Sequence, residues 1–345
     1  MGDREDAIVA RIERQVGVPG LADALASRLA PSDLASLLLA VHRRRAARTT
    51  PAQVLSRFAA DGFVRPGRAA QRELLEVERS ALDTLPDGFE AVILSPVCPL
   101  ATVASVAPID QNRVLATSRG TEVISDPTNV LALEAALRRR AARATDGPDV
   151  VRLATAHRVL RAQRFTASGF AQHFAQVALC TAGRDAGRHG FELAALREHV
   201  AFHLGLVTRT RDRHGLRAVR VAVSPFEDED RLGAAIRADV IAPLRAAFPE
   251  VELLVDADRT RGRGYYAAVA LLITAETPAG EPVELADGGG TTWTAQLLGD
   301  RKERLLISGI GTERLLRPRA AAHPPPESGP PPSGPHPDEA SPGRR

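Results

Sequence analysis

The chain has 345 residues, 44% of them hydrophobic and only 4% aromatic, so a core of one or two domains must be filled by Leu, Val and Ala. A net charge of +3 gives no basic stripe of the nucleic-acid kind, and with Lys302 the only lysine, the many arginines reflect a composition bias rather than phosphate binding. Cys98 and Cys180 are too few for a metal knuckle or a disulfide framework and read as buried thiols. Met1–Gln15 is charged throughout with no apolar signal core, and no run of about 18 apolar residues occurs. A cytoplasmic protein without membrane contact is expected.

Residues 1–67 read as an N-terminal helical region, with apolar residues at three- and four-residue steps through Leu21, Leu25 and Leu29, then Leu34, Leu37, Leu38 and Val41. Ser32 or Asp33 is the expected cap of the second of these runs. Arg43–Arg45 closes it, either as a solvated helix end favoured by the macrodipole or as a patch for RNA or a partner. An amphipathic helix from Arg68 to Leu85 runs into the turn signal Pro86-Asp87-Gly88. Strands are predicted at 91–94, 113–117 and 121–124, then a helix over 129–144 and strands at 151–154 and 175–180. A helix at 192–204, a strand at 217–223, a helix at 231–248 and a strand at 251–255 follow. The end is strand-rich, at 265–274, 291–297 and 305–309, with Gly288–Gly290 expected as a tight turn at positive φ. Interleaved elements with clustered late strands suit an α+β fold with an antiparallel sheet flanked by helices over 68–316. The Pro-, Gly- and charge-rich stretch 317–345 cannot offset the entropy of ordering and is expected to be disordered.

Four segments carry chemistry. Gly88-Phe89-Glu90-Ala91-Val92-Ile93-Leu94-Ser95-Pro96 is a helix–turn–strand ending in Pro. Arg161-Ala162-Gln163 precedes a Gly-containing loop and then His173-Phe174-Ala175-Gln176, with Arg158 a rival for the leading arginine. Arg261-Gly262-Arg263-Gly264-Tyr265-Tyr266 is followed by Gly288-Gly289-Gly290-Thr291-Thr292-Trp293. Gly309-Ile310-Gly311-Thr312-Glu313-Arg314 follows a strand and opens a helix. In order and spacing these resemble the three signature motifs of class II aminoacyl-tRNA synthetases, and the Arg-Gly-x-x-Tyr-Tyr element resembles the histidyl branch. The resemblance covers about 68–316 and is diffuse between 188 and 256. Nothing after Leu316 resembles the anticodon-binding domain of histidyl-tRNA synthetases.

The resemblance implies roles residue by residue. Arg161 would hold the α-phosphate and the substrate carboxylate, since a guanidinium fork stays charged and matches both anions. Gln163 stands where the family has Glu; its amide oxygen can still accept from the adenine amino group. Arg261 would activate the amino-acid carboxylate, and Tyr265 and Tyr266 would line the side-chain pocket. Gly309 and Gly311 would let adenine approach the backbone, Arg314 would meet adenine and the γ-phosphate, and Glu313 is a candidate Mg²⁺ ligand. Asp126 and Thr128 match an acid-x-Thr element that binds the substrate ammonium, although Asp126 serves equally as a helix cap. Gln176 matches a Gln near the amino acid.

Two groups of the family's histidine pocket are changed: Cys180 replaces a Glu, and Thr291-Thr292-Trp293 replaces Arg-Tyr-Asp. Two functions therefore stand open. One is an enzyme that uses ATP and Mg²⁺ to activate an amino acid or related carboxylic acid to an acyl-adenylate, for transfer to a tRNA, a carrier protein or an amine. The other is an inactive regulatory or binding subunit, like that of ATP phosphoribosyltransferase. Both imply a homodimer through the Gly88–Pro96 segment. His157 and His173 are expected to be structural or solvent-facing.

Overall fold

The computed structural model describes residues 2–67, 69–145, 149–162 and 172–316. Segment 317–345, expected to be disordered, and Gln163 lie outside them. Four helices come first: α1 (Gly2–Val16), α2 (Leu21–Ser27), α3 (Pro31–Ala46) and α4 (Pro51–Ala60). None of α2, α3 or α4 buries a residue fully. Helix α3 starts earlier than the sequence suggests, with Ala30 at the cap position in place of Ser32 or Asp33 and Pro31 in the first turn. Proline suits that place because its missing N–H would have no helical partner there. Helix α4 opens on a reciprocal box between Thr50 and Gln53.

The remaining elements are α5 (Gln71–Asp83), β1 (Glu90–Ala91), β2 (Val97–Pro99), α6 (Thr102–Val106), β3 (Thr121–Val123), α7 (Pro127–Ala144), β4 (Val151–Leu160) and β5 (His173–Arg184). Then come α8 (Gly190–His214), β6 (Arg217–Pro225), α9 (Glu229–Ile236), α10 (Ala242–Ala247), β7 (Glu252–Val255), β8 (Ala267–Glu276), β9 (Pro282–Thr291), α11 (Trp293–Leu298), β10 (Glu303–Gly311) and α12 (Thr312–Leu316). A π-helical turn, Arg237–Ile241, joins α9 to α10. It absorbs Pro243, whose ring would clash with the carbonyl four residues back in a regular helix.

Eight strands form one sheet in the order β1-β4-β5-β10-β9-β8-β6-β7. Its centre is antiparallel, while the edge pairs β1·β4 and β6·β7 are parallel. The α+β class and the helix-flanked sheet are thus as expected. Helices α5 and α8 cover one face, where Val77, Leu196, Phe202, Leu271, Leu306 and Ile310 share the larger core. Helix α7 and Trp293 cover the other, over Leu153, Ala178, Cys180 and Ile307. Both cysteines are buried and free. Among the described residues no helix is long and apolar enough to cross a membrane.

Two expected strands are absent. Segment 113–117 contributes only a single bridge, Ala116 to Glu122. Asp110 accepts from the Asn112 amide and folds the chain into a 3₁₀ turn instead. Segment 291–297 reads as strand because Thr and Trp favour sheets, yet it forms α11. Trp293 is buried against α7, and Gly299 ends the helix in the left-handed region.

One buried charge network ties α7 to the sheet. The Arg139 guanidinium donates to both Glu303 carboxylate oxygens at 3.1 and 3.0 Å, and Arg143 donates to the same carboxylate at 2.6 Å. The Arg139 and Glu303 side chains are 2% and 0% exposed. Burial pushes the Glu303 carboxyl up, but the bonds from Arg139 and Arg143 outweigh it and hold the group below its ordinary value of 4.5. A depressed carboxylate stabilises the fold above its unfolded pKa and loses that contribution as pH falls through the folded one. Glu303→Gln is therefore expected to cost on the order of 3 kcal/mol at neutral pH, since it leaves buried arginine charge unpaired. The loss, read from urea melts, should shrink as pH falls below about 4.5.

Candidate functional site

A cavity of ≈ 180 Å³ opens on the α7 face of the sheet, at the point where β5, β10 and β9 run side by side. The register explains its walls. Gln176 on β5 lies opposite Gly311 on β10, and Gly309 lies opposite Asp287 on β9. The α7 N-terminus closes one side with Asp126 and Thr128, and the segment before β8 supplies Arg261, Tyr265 and Tyr266. Arg161 enters from the end of β4 and Arg314 from α12.

Ten of the residues singled out in the sequence line this one cavity: Asp126, Thr128, Arg161, Gln176, Arg261, Tyr265, Tyr266, Gly309, Gly311 and Arg314. Glu313 does not. Its carboxylate accepts from Arg158 at 2.6 Å and its side chain is 14% exposed. Arg158, the rival to Arg161, is thereby committed to Glu313 and to His173, whose ring also bonds the Arg65 carbonyl. His173 is structural, as expected.

Asp126 fills both roles open to it. Its Oδ1 accepts from the Thr128 amide at 3.0 Å and the Thr128 hydroxyl at 2.7 Å, which caps α7. Among the described residues its other oxygen has no hydrogen-bond partner. The Arg161 Nε donates to the Ser125 carbonyl at 3.3 Å, and the guanidinium lies 5.2 Å from the centre of the Phe174 ring. Among the described residues that leaves the outer two nitrogens of Arg161 without an acceptor. Arg261 Nη1 donates to Glu284 Oε1 at 2.5 Å, and Arg314 Nη1 donates to the Glu284 carbonyl at 2.5 Å. The Glu284 hydrogen bond raises the Arg261 pKa above its ordinary value, so Arg261 stays charged.

The two tyrosines are set by a tight turn. Gly262 has φ +90°, and its carbonyl accepts from both the Tyr265 and Tyr266 amides at 3.1 and 2.8 Å. A Cβ at Gly262 would stand 2.9 Å from the Tyr266 ring. The rings meet edge to face at 4.9 Å, and Tyr265 stacks likewise on Trp293 at 5.5 Å. Burial raises both hydroxyls well above the ordinary tyrosine range, so both remain neutral donors.

Gly288–Gly290 is not a turn, contrary to expectation. The three residues sit inside β9, paired on both sides, and none has positive φ. Crowding explains them. A Cβ at Gly289 would lie 2.5 Å from the Val269 carbonyl oxygen and 2.7 Å from the Tyr266 ring. One at Gly288 would lie 2.5 Å from the Ile307 carbonyl oxygen, and one at Gly290 would lie 2.6 Å from that of Ala267. Bare backbone therefore lies under the Tyr266 ring, which itself lines the cavity.

Sequence reading missed Asp287, Glu284 and Arg259. Arg259 is buried and donates to the Arg261 carbonyl at 2.9 Å, the Leu271 carbonyl at 3.1 Å and Asp287 Oδ1 at 3.0 Å. Burial raises the Asp287 carboxyl, and Arg259 offsets that in part. An acid placed one residue before the glycine run was the available signal. Also missed was a polar chain behind the cavity floor. Ser308 lines the cavity, but its hydroxyl bonds His199 Nδ1 at 2.8 Å and His203 Nε2 at 2.7 Å on α8. His199 continues to Thr181 at 2.9 Å. Burial lowers both imidazoles, His203 to about 3, so both are neutral and tie α8 to the sheet.

By sequence the chain matches no protein-family model and no curated protein. Among solved structures it resembles the apo histidyl-tRNA synthetase of S. aureus, with TM-score 0.54, 15% identity and coverage of 74% of this chain and 69% of that one. It resembles the histidyl-tRNA synthetase of Nostoc sp. PCC 7120 with TM-score 0.55, 14% identity and coverage of 78% and 74%. It also resembles an ATP phosphoribosyltransferase regulatory subunit/histidyl-tRNA synthetase of Bacillus halodurans, with TM-score 0.53, 14% identity and coverage of 75% and 82%. The fold is that of a class II synthetase catalytic core.

The glycine run under Tyr266 gives a direct test. Gly289→Ala should lower stability by about 1–3 kcal/mol through overpacking and shift the Tyr266 ring. Urea melts and near-ultraviolet circular dichroism, in which the Tyr265–Tyr266–Trp293 stack should dominate, would record both.

Proposed function

We propose that this chain activates an amino acid, or a related small carboxylic acid, with ATP. One observation carries the reading: three arginines from distant segments, Arg161, Arg261 and Arg314, converge on one cavity with an acid at a helix N-terminus. An amino acid alone brings a single carboxylate, which one guanidinium satisfies. Three guanidinium groups match a carboxylate together with phosphate oxygens. A carboxylate oxygen of the acid attacks the α-phosphorus, the bond to the bridging oxygen breaks, and pyrophosphate leaves. Arg161 and Arg261 stabilise the charge that develops at the α-phosphate and the attacking carboxylate, and the protein supplies no nucleophile. Asp126 holds the ammonium through its unpartnered oxygen. The acceptor, of the tRNA, carrier-protein or amine class, then attacks the acyl carbon and loses a proton, the bond from that carbon to the phosphate oxygen breaks, and AMP leaves.

Mg²⁺ belongs to this reading as the ion that screens the triphosphate. Glu313 does not fit the part of its ligand while bonded to Arg158, and no step is assigned to that residue. The same ion pair favours the second reading, a binding subunit that senses an amino acid without consuming ATP. In either case a second copy would cover the Gly88–Pro96 segment, where Ile93 is fully exposed at 101%.

ATP–pyrophosphate exchange across a panel of amino acids separates the readings. The enzyme predicts exchange with at least one of them. Arg161→Ala and Arg314→Ala should each lower it by about 10²-fold or more, with the melting temperature kept. Tight binding of an amino acid without exchange in the wild-type protein would overturn the enzyme and leave the binding subunit.

A further inference from the structure

The side chain of the ligand can be argued from Asp287. Only one of its oxygens is used by the protein: Oδ1 accepts from Arg259 Nη2 at 3.0 Å and from the Gly288 amide at 2.9 Å. Among the described residues Oδ2 has no hydrogen-bond partner, and Asp287 lines the cavity. The Arg259 contact is end-on, not a two-pronged fork, because the other arginine donors are committed to the Arg261 and Leu271 carbonyls. Arg259 thus fixes the direction of the carboxylate while leaving half of it open.

The cavity therefore presents two open carboxylate oxygens, on Asp126 and Asp287, and both acids act electrostatically on the paired rings of Tyr265 and Tyr266. The other charged groups facing this space are Arg161, Arg314, and Arg261 with its partner Glu284. A single α-ammonium can satisfy one open acid. The second asks for another cation, and the tyrosine faces suit one. Behind the tyrosines the wall is apolar: Trp293, Ile307 and the neutral Cys180 thiol offer nothing to an acidic or amide side chain.

Resting on the amino-acid reading of this cavity, we infer that the ligand is a basic amino acid whose side-chain ammonium binds Asp287, with lysine and ornithine the natural probes. Asp287 is then the specificity-determining residue, and Arg259 its positioning residue.

Calorimetric titration of the wild-type protein with L-lysine, L-ornithine, L-norleucine, L-glutamine and L-histidine tests this without requiring catalysis. Lysine or ornithine should bind at least about tenfold more tightly than norleucine, the scale of one charge-assisted hydrogen bond. The isosteric Asp287→Asn should remove that preference, bringing lysine and norleucine to similar affinities. Since burial raises the Asp287 carboxyl, lysine binding should also weaken on acidification before an ordinary carboxylate would titrate. That pH profile of the wild-type protein holds the test open should the variant fold poorly. Norleucine, glutamine or histidine binding as tightly as the basic pair would overturn the assignment of Asp287 while leaving the cavity an amino-acid site. No binding of any amino acid at millimolar concentration would overturn both.

Discussion

Close approach of β9 to the strands on either side, with no side chain of its own in between, sets the Tyr266 ring at the wall of the cavity. Inside β9, Gly288 meets a carbonyl of β10 and Gly289 and Gly290 meet carbonyls of β8, and a methyl group at any of them would fall 2.5–2.6 Å from an oxygen. Glycine in a strand interior weakens the sheet in ordinary circumstances, because it gives up backbone entropy and packs nothing. Here the absent side chains make a floor on which the Tyr266 ring lies, and Tyr265 and Trp293 stack outward from it in turn. Asp287 is aimed by Arg259, which holds its Oδ1 while anchored to the Arg261 and Leu271 carbonyls.

Charge is handled by the same device at the site and away from it. At the sheet's other end, Glu303 is buried with Arg139 and Arg143 and ties the middle of α7 to β10. That pair is closed: both carboxylate oxygens are taken. In the cavity the pairs are open. Asp126 and Asp287 each commit one oxygen to the protein and leave one, and Arg161 spends only its Nε on the backbone and its face on Phe174. Closed pairs contribute fold specificity, whereas half-satisfied groups beside water-accessible space are what a ligand completes.

Much of the site was legible because its chemistry comes as short patterns at separate places. Asp126, Arg161, Arg261 and Arg314 were each readable beside a turn or strand, and the fold brings them to one cavity. What failed to be legible depends on neighbours absent from the local sequence. Three successive glycines signal a turn unless flanking strands crowd them, and nothing within the run tells the two apart. Thr291–Leu297 carries sheet-favouring residues, yet the burial of Trp293 under α7 decides for a helix. Arg139 sits between two exposed-looking arginines and is buried only because Glu303, far along the chain, comes to meet it. Glu313 has the right motif position but turns to Arg158, a residue chosen by strand register and not by the motif.

That last departure bears on how an anion would enter. Glu284 already holds two of the three converging arginines, Arg261 through its carboxylate and Arg314 through its carbonyl. The Glu284 side chain is 41% exposed, so its pair with Arg261 is weakly held by comparison with buried pairs. On the proposed reading, an incoming phosphate or carboxylate would offer Arg261 a bidentate partner, which a single carboxylate oxygen of Glu284 does not match. Glu284 would then be an internal counter-ion that points Arg261 at the cavity until the ligand's anionic group takes its place, an exchange that breaks no buried pair.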